Sequence, residues 1–127
     1  MFRTVLLGSN DLEKSKIFYD AIMQVVGCPP AEANDGGPLR YRKDGVGLVI
    51  VKPRDGNPAT HANGGTINFK MDSEEQVNAW HAAGVANGGT AIEDPPGIRN
   101  YPGQDVYSAY LRSPEGHKLN ASYFIPG

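Results

Sequence analysis

The chain repeats one pattern of elements, and that repeat constrains its fold more than any single residue does. Residues 2–8 (Phe-Arg-Thr-Val-Leu-Leu-Gly) read as a short strand. Asn10-Asp11-Leu12-Glu13 opens a helix, and two strands follow, joined at Asp44-Gly45. Residues 65–71 (Gly-Thr-Ile-Asn-Phe-Lys-Met) read as a second such strand. Asp72-Ser73-Glu74-Glu75 opens a second helix, and strands follow again, the last two joined at Pro114-Glu115-Gly116. A duplicated strand–helix–strands unit predicts an α+β fold whose paired sheets bury a face or enclose a cleft. One domain is expected over 1–127, with one module at about 1–55 and the other at about 64–127.

The first helix is the clearer of the two. Leu12, Phe18, Ile22, Val25 and Val26 recur at helical spacing, Asn10 and Glu13 form a loose capping box, and Gly27 supplies a left-handed stop. For the second helix Asp72 is the expected N-cap and Gly84 the expected end. Segment 28–38 reads as a Pro/Gly-rich loop, and 39–43 with 46–52 as a hairpin about Asp44-Gly45. Residues 53–63 are a polar connection between the halves. Residues 90–92 form a candidate short strand, and 93–104, with Pro95-Pro96-Gly97 and Pro102-Gly103, read as a long irregular loop. Residues 106–112 and 118–124 close the chain as a hairpin.

Alternation within these strands separates an apolar face from a mixed one. Val5, Leu7, Ile67, Phe69, Ala109, Leu111, Leu119 and Ala121 suit the helix-packed side. Thr4, Thr66, Asn68, Ser108, Tyr110 and Asn120 then share the other side. These are hydrogen-bonding groups without charge, in both halves, which points to a ligand cleft more than to a plain wet surface. Arg99 and Tyr101 sit on the expected long loop, where an arginine could grip a carboxylate or phosphate in bidentate fashion.

Composition excludes several classes. A net charge of -2 gives no electrostatic case for nucleic acid or an anionic membrane, so neither is expected as a partner. A single cysteine, Cys28, forms no internal disulfide and fits a reducing compartment. No signal pattern and no apolar run of membrane-spanning length are present, so a cytoplasmic location is expected.

Ser113-Pro114-Glu115-Gly116-His117-Lys118-Leu119-Asn120-Ala121 resembles the closing hairpin of the vicinal oxygen chelate superfamily, which includes glyoxalases, bleomycin-resistance proteins and extradiol dioxygenases. The opening 2–18, with Asn-Asp-Leu and then Phe18-Tyr19, resembles that family's first strand and helix, and Asn63-Gly64-Gly65-Thr66 the start of its second module. The resemblance implies tandem βαβββ modules forming a curved mixed sheet around a cleft, and homodimers in which both chains contribute to each cleft. Most enzymes of the superfamily hold a divalent metal with one residue per strand. At the matching positions this chain carries Thr4, Thr66 and Asn120, and the fourth falls within the aliphatic stretch 48–50. Hydroxyl, amide and aliphatic groups are poor ligands for zinc, nickel or iron. His61, His81 and His117 show no metal-ligand spacing. The expectation is a small-molecule binding protein with no metal and no cofactor. The alternative is a lyase, isomerase or thiol transferase of the superfamily that is metal-free or uses an unconventional metal site. No residue stands out as catalytic.

Overall fold

The computed structural model describes residues 1–32 and 36–127. Among them are seven strands and two helices: β1 Thr4–Gly8, α1 Leu12–Val26, β2 Leu39–Lys43, β3 Val46–Val51, β4 Ile67–Lys70, α2 Glu74–Ala86, β5 Thr90–Tyr101, β6 Gln104–Arg112 and β7 Lys118–Phe124. The architecture is α+β, with two mixed sheets. One has the order β1-β3-β2, the other β4-β7-β6-β5. In each, the strand before the helix runs parallel to the last strand of its unit (β1 with β3, β4 with β7), so the two halves share one topology. The first half has two strands after its helix and the second has three. Of the expected loop over 28–38, residues 33–35 lie outside the described residues.

The turns follow from local chemistry. Asp44 and Gly45 both take positive φ (52° and 81°), as a two-residue hairpin with matching twist requires. Each helix is capped one residue later than the sequence suggests. Asp11, not Asn10, accepts from the Lys14 N–H. Asn10 instead exchanges two hydrogen bonds with the Ala59 backbone and fastens the connecting segment to the start of α1. Ser73, not Asp72, accepts from the Gln76 N–H, while the Gln76 side chain accepts from the Asp72 N–H.

Gly84 does not end α2. The helix runs on to Ala86, and a backbone bond from the Gly89 N–H to the Gly84 carbonyl (2.8 Å) closes it across the left-handed Gly88. Gly84 is there for space. A Cβ on it would lie 2.3 Å from Leu111 Cδ1, 3.2 Å from Ile22 and 3.3 Å from Phe18. A Cβ on Gly89 would lie 2.5 Å from the Phe18 ring and 2.8 Å from the Gly84 carbonyl oxygen. Here α1, α2 and β6 meet. The resulting core runs from Phe18, Tyr19 and Ile22 through Trp80 and Val77 to Leu111 and Leu119. β5, predicted only as residues 90–92, is a strand of twelve residues with a bulge between Ile92 and Gly97. Its prolines are tolerated because β5 is a sheet edge, where a missing N–H breaks no second ladder.

Polar groups tie the halves together below this core. Ser9 Oγ and Ser15 Oγ lie 2.6 Å apart, and Ser15 donates to Glu115 in the last turn. His117 Nε2 meets the Gly8 carbonyl at 2.8 Å, so the start of β7 is bonded to the end of β1. Asp20 joins three elements. It pairs with Lys16 (2.5 Å) and accepts from the Ala31 N–H (3.0 Å) and the Tyr41 hydroxyl (2.7 Å). Partial burial pushes the Asp20 carboxyl up, but these hydrogen bonds and the Lys16 charge outweigh it and hold the group below its ordinary value.

Two outcomes are expected. On an exposed helix Gly→Ala stabilises by up to about 1 kcal/mol, but overpacking a core costs about 1–3 kcal/mol. Gly84→Ala should therefore lower stability in urea unfolding, and a stabilised variant would contradict the packing. Asp20 binds its proton less tightly folded than unfolded. Its contribution is therefore complete above the ordinary carboxylate value and is lost as pH falls through the lower folded value. Melting temperature followed from neutral pH down to about pH 2 should fall less steeply in Asp20→Asn than in the parent chain. Parallel curves would rule out that role.

Candidate functional site

Ladder register decides which of the sequence candidates meet. Asn68 lies opposite Asn120, and Asn120 lies opposite Tyr110. Ser122 lies opposite Ser108, and its hydroxyl donates to Asn68 Oδ1 at 2.8 Å. The alternate residues Ile67, Phe69, Ala109, Leu111, Leu119 and Ala121 all join the core, so the polar set occupies the face turned from the helices. Ser108, Asn120 and Ser122 are buried on that face, while Asn68 is exposed. Sequence alternation located this row, with Ser122 on the same face as Asn120, though Ser122 was not among the candidate ligand groups.

The remaining candidates divide. Thr66 precedes β4 and is exposed. Thr4 belongs to the other sheet, paired with Gly47, and Leu6 follows it on the same face, 61% exposed and opposite Val49. β1 and β4 are both sheet edges, and they do not pair with each other. Tyr101 ends β5 and is exposed. Arg99 lies in β5 and not on a loop. Its guanidinium donates to the carbonyls of Asp94 (2.8 Å), Pro95 (2.9 Å) and Gly97 (3.1 Å), so it pins the bulge. Tyr41 and Tyr107, which alternation leaves undecided, both turn inward: Tyr41 is buried, and Tyr107 donates to Asn78 on α2 at 2.9 Å.

One charged feature on this face escaped the sequence. Lys118, two residues before Asn120, forms an ion pair with Glu93 and stands 5.1 Å above the centre of the Tyr110 ring. Burial, then the nearby Tyr101 and Glu93, push the Tyr110 hydroxyl up against the opposing charge of Lys118. Glu93 could not be placed here while 93–104 was read as a loop.

Two hollows flank β4. A groove of about 700 Å³ has Val5, Leu48, Ile67 and Phe69 on its walls and Thr66 and Asn68 at its rim. A smaller one of about 440 Å³ includes Asn68, Ser122 and Phe124. Asn120, Ser108 and Tyr110 line neither.

Thr4, Thr66 and Asn120, which the resemblance matches to metal-ligand positions, offer two hydroxyls and an amide, poor donors for a divalent transition metal. Among the described residues no group of three His, Cys, Asp or Glu side chains could hold one. His117 is committed to Gly8, and His81 sits on α2 with burial pushing its ring down. Cys28 is a buried thiol, raised by burial. No helix among the described residues is long and apolar enough to cross a membrane.

No family model matches the chain, and no curated protein does. Solved structures do. A glyoxalase/bleomycin resistance protein from Albidiferax ferrireducens T118 is 47% identical, with 97% of this chain and 98% of that one covered at a TM-score of 0.91. A glyoxalase-related enzyme from Fulvimarina pelagi shares the fold at 20% identity and a TM-score of 0.72, over 97% and 87% of the two chains. So does a lactoylglutathione lyase from Agrobacterium tumefaciens at 20% identity and a TM-score of 0.66, over 97% and 92%. With near-complete coverage at 47% identity, a shared strand–helix–strands topology and the closing hairpin at 113–121, the chain belongs to the glyoxalase/bleomycin resistance protein family of the vicinal oxygen chelate superfamily.

Proposed function

We propose that this chain is a metal-free binding protein that holds a small organic molecule in a cleft shared between two copies. The observation that carries the reading is the polar face of β4, β7 and β6 turned from the helices. There register aligns Asn68, Asn120 and Tyr110, with Ser108 and Ser122 beside them. This row offers hydrogen bonds and a ring surface. It suits recognition of a polar or partly aromatic molecule better than Lewis-acid chemistry.

A second copy is favoured by what one chain leaves uncovered. Thr4 and the row around Asn120 lie on different sheets, both sheets end in unpaired edge strands, and β1 presents Leu6 to solvent beside the exposed Phe2. Pairing two chains would cover that apolar surface and bring Thr4 of one chain toward the polar row of the other. The buried free thiol of Cys28 fits a cytoplasmic setting.

The other reading is an enzyme of the superfamily, a lyase, isomerase or thiol transferase acting without the usual metal. The Glu93–Lys118 pair on the same face favours it, because a carboxylate and an ammonium could exchange protons with a bound substrate.

Native mass spectrometry of the purified protein, with metal content measured in parallel, tests the proposal. The expected species is a dimer with an organic mass bound and no stoichiometric metal. One metal per chain would sink the metal-free reading. Leu6→Glu is expected to convert the dimer to monomer in light scattering without lowering the helical signal in circular dichroism. An unchanged dimer would remove β1 from the interface.

A further inference from the structure

Alternation along β5 breaks at one residue. Ile92 lies opposite Tyr110, so the next side chain of a regular strand would turn toward the helices. Glu93 does not turn that way. Its φ is +59°, a conformation that L residues rarely adopt, and the four residues after Ile92 bulge before pairing resumes at Gly97. The kink sends the Glu93 carboxylate onto the open face, where it reaches Lys118 above the Tyr110 ring. Arg99 holds the kink by capping the carbonyls of Asp94, Pro95 and Gly97. The bulge thus delivers one carboxylate to one ammonium in the row that carries Asn120.

We infer that Lys118 is a recognition site for an organic carboxylate, and that Glu93 occupies it as a tethered stand-in until a ligand displaces it. The inference rests on the small-molecule reading of this face and gives it a ligand class. The atoms meeting Lys118 are those of a propionate group attached to the chain. An ammonium above the Tyr110 ring, with the neutral amide of Asn120 two residues on and the opposite Arg112 turned to the Gly116 carbonyl, suits a single carboxylate. Displacement is easy. Glu93 is about half exposed (45% for its side chain), and ion pairs this open contribute little to stability. A ligand that also lays an apolar or aromatic body along Tyr110 gains what Glu93 cannot supply.

The test is chemical replacement. Glu93→Ala removes the tethered carboxylate, and Glu93→Gly does so with a residue suited to the positive φ. Propionate and benzoate are titrated while the Lys118 side-chain methylene signals are followed by NMR. Propionamide and benzamide serve as uncharged controls. Both acids are expected to bind either variant about fivefold tighter than the parent chain, the gain open to loss of a weak competing ion pair. Lys118→Met is expected to abolish binding, and the amides to show none. Equal affinity in parent and variants, or binding that survives Lys118→Met, overturns the inference. The two readings fail differently. An organic molecule that co-purifies with the dimer and is retained by Lys118→Met leaves the cleft standing and removes the carboxylate site. A monomer that binds no acid in any form removes both.

Discussion

The close approach of α1 and α2 at Gly84 and Gly89 is the contact on which the rest of this structure depends. Phe18 sits against both glycines, and Leu111 from β6 enters the same point. No side chain larger than hydrogen fits there. Through that contact the first sheet, resting on α1, and the second, resting on α2, share one continuous core. Neither β1 nor β4 pairs with the other half, so the sheets are joined by helix packing and by a few buried polar ties, Ser15 to Glu115 and His117 to the Gly8 carbonyl among them. These ties involve the last turn, which explains why a hairpin far along the chain reports so well on the fold. It is at once a strand connection and the clasp between the halves.

Much of this was legible before any coordinates. Period-two alternation in 66–70, 106–112 and 118–124 put Ile67, Phe69, Ala109, Leu111, Leu119 and Ala121 on their observed face, because those strands bury one face and a one-residue slip would expose Leu111 and Leu119. The first helix and its Gly27 stop were legible because one stripe is apolar and a positive φ is needed at its end. Other features were hidden for identifiable reasons. Asn, Asp and Ser all cap helices, and only the three-dimensional demand of Ala59 on Asn10 hands the first cap to Asp11. Gly84 looks like a terminator because a glycine needed for close packing and one needed for positive φ are the same letter. The prolines at 95 and 96 suggest a loop because nothing local says that β5 is an edge, where the ladder can spare them; Pro102 is in the turn after it.

That last misreading bears on the site. With 93–104 taken as a loop, Arg99 is available for an anion and Glu93 is nowhere in particular. With 90–101 as a bulged strand, the roles exchange. Arg99 becomes a brace for backbone carbonyls, and Glu93 becomes the residue turned onto the face that carries Asn120. The cation paired with Glu93 is Lys118, which sits in a strand the sequence locates but whose charge its parity with Asn120 does not single out.

Why can the chemistry of this face vary while the fold holds? The pairing of Asn68 with Asn120 and of Asn120 with Tyr110 is made by backbone ladders, and the core that holds those ladders is built from the alternate residues. A side chain on the open face can therefore change from imidazole or carboxylate to hydroxyl or amide without disturbing a packing contact on the helix side. Fold and chemistry are written on opposite faces of the same strands. Structures at 20% identity consequently share this architecture while saying nothing about the reaction. In this chain the centre of that face carries Asn120, Tyr110, Ser108 and Ser122, with Lys118 and Arg112 opposite one another at its end. Arg112 turns its guanidinium to the Gly116 carbonyl, so the cation that meets a carboxylate on this face is Lys118. A bulge whose positive-φ residue brings a carboxylate to the lysine two residues before Asn120 serves that face and no packing contact of the core.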